Sequence, residues 1–309
     1  MARFLVVRAL QAVVSILGVS TIIFVVMHLS GDPTLLLVPE GASREDVALL
    51  RHQLGFDRPL AVQYADYLAG LARGDLGTSL VQRLPVASIV AARLPYTVLL
   101  AGGALAVALG IGLPIGVITG IWRGTRVEAL LMPVVLVGQS MPTFWSGILL
   151  ILLCAVTWNV LPASGADSWS SLVMPSITLG ALSMATFARI TRTGVVEELG
   201  KDYVRASRAK GLATAPIVLR HVLRNASIPV ITVAALETAN LLAGAVIVET
   251  VFAWPGLGQL AVQSIAGRDF LVVQALVLLA SFTCVALNLL ADVLYGAVDP
   301  RITRLAGAR

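Results

Sequence analysis

Six long apolar runs govern what this chain can fold into: residues 9–29, 97–121, 129–157, 172–190, 229–252 and 271–297. Each approaches or exceeds the roughly 20 residues that carry a helix across a hydrocarbon core. Lipid offers no partner to a backbone N–H or C=O, so runs of this kind cross a membrane as helices that satisfy their own hydrogen bonds. With 58% apolar and only 13% charged residues, the chain holds more apolar surface than a soluble domain can bury. The expected fold is all-α: a polytopic membrane bundle of about six transmembrane helices.

Charge supports this reading over a nucleic-acid binder. The net charge is +5 with aromatics at 6%, and the basic residues are spread between apolar runs instead of forming a patch. Short loops fix the expected orientation: residues 122–128 carry Arg123 and Arg126, whereas 158–171 carry no basic residue, and cytoplasmic loops are the ones enriched in Lys and Arg. Both termini then lie in the cytoplasm, and the protein is expected to be multi-pass in its membrane, with lipid as its main solvent. Arg3 and Arg8 precede the first apolar run, but no small-x-small cleavage site follows it, so a membrane helix is expected there instead of a signal peptide. Cys154 and Cys284 sit inside apolar runs and are expected to be buried small hydrophobes, not a disulfide or metal pair.

These boundaries divide the chain into a tail and first helix at 1–29, an extracytoplasmic helical region at 30–96, a core at 97–298 and a cytoplasmic tail at 299–309. In the outer region, Ser43 followed by Asp46 predicts a helix start. Leu60, Tyr64, Tyr67, Leu68 and Leu71 then form a helical stripe, and a third piece, 86–94, leads into the second span. Within that span, Ala104, Ala108, Gly112, Gly116 and Gly120 recur every fourth residue, which lets helix backbones approach closely in lipid. Pro114, Pro133, Pro142 and Pro175 each free a backbone carbonyl that protein or a water-lined cavity has to satisfy.

The inner loop, roughly 191–228, is carried by RTGVVEELGKDYVRASRAKGLATAPIVLRHVLRNASIP at 192–229. It predicts two helical stretches broken at Gly211, a residue free to adopt the turning conformation. Tyr203, Ala206 and Ala209, with Leu199, are expected to form one small-residue apolar face. So ordered a hairpin exceeds what a connection needs, and a docking site is expected. Neither of the two lysines, Lys201 and Lys210, sits in a phosphate-binding loop. The three histidines, His28, His52 and His221, are scattered, and no H-E-x-x-H motif or nucleophile set accompanies them. The reading is therefore a non-catalytic chain with no metal or cofactor of its own.

Charges inside membrane helices are costly and mark function. Gln139, Ser140, Glu237 and Asn240 are the candidates for lining a passage. Glu249 and Asp292 lie near span ends, where water or headgroups can solvate them, and are expected to be structural or gating, together with Pro255 and Gly256. A proton- or ion-coupled carrier using Glu237, Glu249 and Asp292 is the rival reading, but it leaves the inner hairpin without a use.

At that hairpin, DYVRASRAKGL at 202–212 resembles the coupling loop of ABC importer permeases, in particular the dipeptide/oligopeptide/nickel/glutathione group and its first, B-type permease. The likeness extends through GDP at 31–33, LGFDRPLAVQYADYL at 54–68, GDLGTS at 74–79, PTFWSG at 142–147, ETVFAWPGLG at 249–258, RDF at 268–270 and DPRI at 299–302. The resemblance implies that Asp202, Tyr203, Arg205, Ala206, Arg208, Ala209 and Gly211 seat in a groove of an ATPase, and that Glu249 fixes the outer end of the fifth span. It also implies a second, homologous permease, two ABC ATPase subunits that hold the ATP and Mg, and an extracytoplasmic substrate-binding protein. The implied cargo is a di- or oligopeptide, with nickel chelates and glutathione as alternatives, moved by alternating access.

Overall fold

The computed structural model describes residues 2–29, 43–53, 55, 57–79 and 81–298. The GDP and DPRI motifs and the 299–309 tail lie outside these residues. Among the described residues every named element is helical. They are α1 (Ala2–Leu29), α2 (Arg44–Gln53), α3 (Leu60–Ala72), α4 (Val86–Ile121), α5 (Arg126–Ser140), α6 (Thr143–Leu150), α7 (Val173–Leu199), α8 (Asp202–Ala209), α9 (Thr214–Ile217), α10 (Leu223–Val251), α11 (Leu257–Ala266) and α12 (Phe270–Val298). Wider π turns at Ile151–Thr157 and Val218–Val222 continue α6 and join α9 to α10.

Four of these stretches are long and apolar enough to cross a membrane, and a bent pair makes five. The apolar part of α1, Val13–Val26, is shorter. Three boundaries differ from the sequence reading. The 86–94 piece is the first part of α4, because Pro95 continues the helix instead of ending it. The fourth span runs on to Leu199. The third, expected as one helix over 129–157, is two segments meeting at 105°. Pro142 causes that break: its ring keeps the preceding residue out of helical geometry, and Met141 is extended at φ −83°, ψ 137°.

The chain forms two compact units. Among the described residues one comprises Pro95–Gln259 with 284–298, and it is built around α7. The hydrophobic stretch of α7 is 61% buried, against 22–28% for the stretches in α4, α10 and α12, so its neighbours cover it on most sides. Met174 and Leu179 pack with Leu100, Leu241, Ala245 and Phe252 near its start. Phe187 meets Ala108 and Val230 further along, and Val195 meets Val204, Ile217 and Val222 near its end.

The small-residue stripe of α4 lies against this helix. A Cβ on Gly112 would stand 2.7 Å from the Met184 carbonyl oxygen, and one on Gly116 2.6 Å from that of Ala188. The contact is backbone on backbone, the geometry small residues permit. Cys154 is half-buried, but Cys284 is exposed on its helix, contrary to expectation, since an outward apolar position in a membrane helix meets lipid.

The second unit holds Ala2–Leu94 and Leu260–Thr283. Here α3 turns Tyr64 and Tyr67 toward Phe24 of α1, with ring centroids 5.1 and 5.9 Å away, and Thr21 shares a 2.6 Å hydrogen bond with the Tyr64 hydroxyl. Two motifs from the sequence meet in this unit: Ser79 of GDLGTS donates to the buried Asp269 carboxylate of RDF. His52 and Asp57 pair at 2.6 Å, and that bond holds the exposed Asp57 carboxyl below its ordinary range.

Candidate functional site

The inner loop is ordered by α8 and by a carboxylate beneath it. Helix α8 begins with Asp202 in its first turn, where a negative charge complements the helix dipole. It ends in a six-residue closing turn: the Leu212 N–H reaches the Ser207 oxygen at 3.3 Å and the Gly211 N–H the Arg208 oxygen at 2.9 Å. That closure needs a left-handed residue after the helix, and Gly211 supplies it at φ +81°.

Asp202, Arg205, Ala206 and Ala209 lie at i, i+3, i+4 and i+7 and are all exposed, while Val204 is fully buried. The apolar face drawn from the sequence is thus divided. Tyr203 and Leu199 pack inward with Val204 and Val195, whereas Ala206 and Ala209 face out, because successive helix residues turn about 100°. Arg208 is exposed beside that stripe, and Arg205 reaches Asp202 at 3.3 Å.

Sequence reasoning missed Glu198. It lies at the end of α7, 7% exposed, and gathers three donors: the Lys201 ammonium, the Tyr203 hydroxyl at 2.7 Å and the Asn225 amide at 3.2 Å. One carboxylate thereby joins α7, the approach to α8, α8 itself and the start of α10. Partial burial, and then the carboxylate, raise the Tyr203 phenol above its usual range. The same carboxylate raises Lys201. The sequence signal was an acid three residues before Lys201, but nothing local pointed to Asn225.

A second ionic contact lies nearby on α7. Arg192 donates from Nε to Glu128 at 2.6 Å, and the other carboxylate oxygen of Glu128 accepts the Gly124 N–H, also at 2.6 Å. This contact ties the loop before α5 to α7.

The four passage candidates do not form one cluster. Glu237 on α10 accepts hydrogen bonds from Ser183 on α7 and, at 3.4 Å, from Asn240. Gln139 and Ser140 lie at the end of α5, where the Ser140 hydroxyl returns to the Leu136 carbonyl. Neighbouring Gly138 faces Ala181 of α7. Ala181 and Ser183 are two residues, and so about 200°, apart around that helix, which presents α5 and Glu237 to different sides of it. Ser183 is the participant the sequence did not mark.

Glu249 corrects a further expectation. It is fully buried, so neither water nor headgroups solvate it. Its charge is met instead by the Thr97 hydroxyl at 2.7 Å and the N–H groups of Gly258 and Gln259 at 2.6 and 3.0 Å. It therefore caps the start of α11, where helix N–H groups lack intrahelical partners. Pro255 and Gly256 form the turn it holds, and a Cβ on Gly256 would collide with the carboxylate. Asp292 lies on α12, with its side chain outside those described.

Among the described residues no group of three or more His, Cys, Asp or Glu is placed to hold a metal ion. The arrangement presents a short braced helix with an exposed stripe of small and charged side chains, and polar groups within a helical bundle.

Comparison with known proteins identifies the family of the chain. Residues 112–304 fit the family described as binding-protein-dependent transport system inner membrane component, and residues 1–101 fit its N-terminal region. The glutathione transport system permease proteins of Escherichia coli (strain K12) and Salmonella typhimurium are each 41% identical over 303 residues, covering 98% of this chain and 99% of theirs. In fold, the chain resembles the methionine ABC transporter MetNI in an inward-facing conformation, with TM-score 0.57 and 21% identity over 68% of this chain and 96% of that one. It also resembles an amino acid ABC transporter, with TM-score 0.52 and 18% identity over 67% and 92%. With family matches spanning most of its length and relatives aligned nearly end to end, the chain is an ABC importer permease of the dipeptide/oligopeptide/nickel/glutathione family, a multi-pass inner-membrane component of a binding-protein-dependent transport system.

Proposed function

We propose that this permease and a second, related one enclose the passage of an ATP-driven importer for short peptides. The exposed stripe of α8 is the seat for an ATPase subunit, one of two that hold ATP and Mg. An extracytoplasmic binding protein delivers the cargo. Both termini lie in the cytoplasm, which puts α8 on the ATPase side. The chain itself performs no catalysis, a reading supported by its two lysines lying outside any phosphate-binding loop.

One observation carries the proposal. A helix of eight residues keeps Val204 fully buried and Glu198 bonded beneath it, while Asp202, Arg205, Ala206 and Ala209 face outward. Small exposed side chains let a partner approach closely, and the flanking arginines offer charge to acids on that partner. Movement of the ATPases then reaches α7 and α10 through groups already bonded to them. Alternating access follows if closed ATPases bind one arrangement of these helices better than the other.

The 41% identity to permeases named for glutathione supports a small peptide cargo and makes glutathione, itself a tripeptide, the specific alternative to other peptides. The test is ATP-dependent uptake in proteoliposomes containing the whole importer. Ala206→Glu introduces a charge into the docking surface and is expected to abolish uptake while the chain still inserts; wild-type uptake would overturn the docking assignment. Alanine replacement of Gln139, Ser140, Glu237 and Asn240 together is expected to impair uptake, and unchanged transport would remove them from the passage.

A further inference from the structure

Glu237 stands at the midpoint of α10, with fourteen helix residues before it and fourteen after. Of that length the apolar run 229–252 holds eight residues before Glu237 and fifteen after, so about 12 Å of apolar helix separates it from the nearer end. An ionisable side chain at such depth is costly and has to find compensation. The contacts of Glu237 orient it without neutralising it, since the Ser183 hydroxyl and the Asn240 amide are both neutral donors. Among the described residues no lysine or arginine forms an ion pair with it. On α7 the nearest basic residue is the exposed Arg189, six residues past Ser183 and so about 9 Å along the axis. On α10 it is Arg224, about 20 Å away by the same rise.

A carboxylate offers about four acceptor positions. Ser183 and Asn240 use two, which leaves capacity for a group bringing both donors and positive charge. A primary ammonium has three donors on a compact cation, and its bonds to a carboxylate are roughly twice as strong as neutral ones. Glu237 is half-buried and Asn240 is exposed, so the pair is reachable from one side of α10.

We infer that Glu237 is a recognition site for the ammonium group of the transported molecule, such as the free amino terminus of a peptide, with the Ser183 hydroxyl holding the carboxylate in place and Asn240, whose 3.4 Å contact is marginal, standing beside it as a reporter position. The inference rests on the reading of α10 as part of the passage. It assigns the cargo a charge requirement that the permease checks independently of the binding protein.

The test uses the assembled importer in proteoliposomes, with Asn240→Cys placed in a chain carrying Cys154→Ala and Cys284→Ala. Only complexes that co-purify with the ATPases are measured. The introduced thiol is treated with aminoethyl (cationic) and sulfonatoethyl (anionic) methanethiosulfonate, and each rate is divided by that toward free cysteine. The cationic reagent is expected to be favoured roughly tenfold or more, the effect of a charge a few ångströms away in a partly dry site, and Glu237→Gln is expected to remove the preference. Trialanine should protect the thiol and N-acetyltrialanine should not. Equal rates for the two reagents, or equal protection by the two peptides, would overturn the inference while leaving the passage intact. No reaction with either reagent would overturn the passage reading as well.

Discussion

The Thr97 hydroxyl donates to the Glu249 carboxylate at 2.7 Å across 152 residues of sequence, and the same hydroxyl oxygen accepts the Leu257 N–H at 2.8 Å. Three segments, the early part of α4, the end of α10 and the start of α11, thus meet at one carboxylate. Beside them Trp254 donates from Nε1 to the Tyr96 carbonyl at 2.9 Å. Glu249→Ala would leave the Thr97 hydroxyl and the N–H groups of Gly258 and Gln259 without their acceptor in a buried site. Each orphaned group costs about 1–3 kcal/mol, so the thermal midpoint of the solubilised importer should fall by several degrees or the chain should fail to accumulate. Thr97→Ser keeps the hydroxyl and should stay close to wild type in the same assay.

Packing of α4 on α7 makes a second prediction. The Cβ of Gly116→Ala would lie 2.6 Å from both the Ala188 oxygen and the Thr191 Cβ, in a contact made largely of backbone with no flexible end to yield. Overpacking of this kind costs about 1–3 kcal/mol. Gly102→Ala on the same helix meets nothing within 4 Å and should be neutral. Thermal unfolding of the two variants in detergent separates them, and equal stability would show that the helices move apart freely.

What could be read from the sequence follows the range of the physics involved. Apolar length marked the membrane helices, the four-residue spacing of Ala104 to Gly120 marked a packing face, and Gly211 marked a turn, because each depends on neighbours in sequence. The break after Met141 depended on whether Pro142 ends a helix or merely bends it, and Pro95 inside α4 shows that the same residue type does either. The outward turn of Ala206 and Ala209 depended on what lay beneath α8. Ser183 and Thr97 owe their roles to partners 54 and 152 residues away, and Glu198 its bond to α10 to one 27 residues away, and no local pattern encodes such pairs.

Glu198 leads to a prediction about coupling. Because its carboxylate joins Lys201, Tyr203 and Asn225, Glu198→Ala should loosen α8 from α7 while leaving its exposed stripe unchanged. The ATPases are then expected to remain bound and keep basal ATP hydrolysis, while stimulation by loaded binding protein falls severalfold. Tyr203→Phe removes one neutral donor, worth about 1 kcal/mol, and should reduce stimulation less. Full stimulation in Glu198→Ala would show that α8 transmits motion without this anchor.

The pH dependence of the same contact has a definite sign. Lys201 is raised above its ordinary 10.5, chiefly by its hydrogen bond to Glu198. A base whose folded value exceeds its unfolded one contributes stability that is complete below the unfolded value and lost as pH rises through the folded one. The Lys201–Glu198 pair is therefore constant across neutral pH; it weakens in alkali above about 10.5 as Lys201 loses its proton, and in acid as the Glu198 carboxylate takes one up. Stimulated ATP hydrolysis in wild type and Lys201→Met should accordingly differ by a constant factor between pH 6.5 and 8.5. A difference that changes across that interval would mean that another group, titrating near neutrality, governs the joint between α7 and α8.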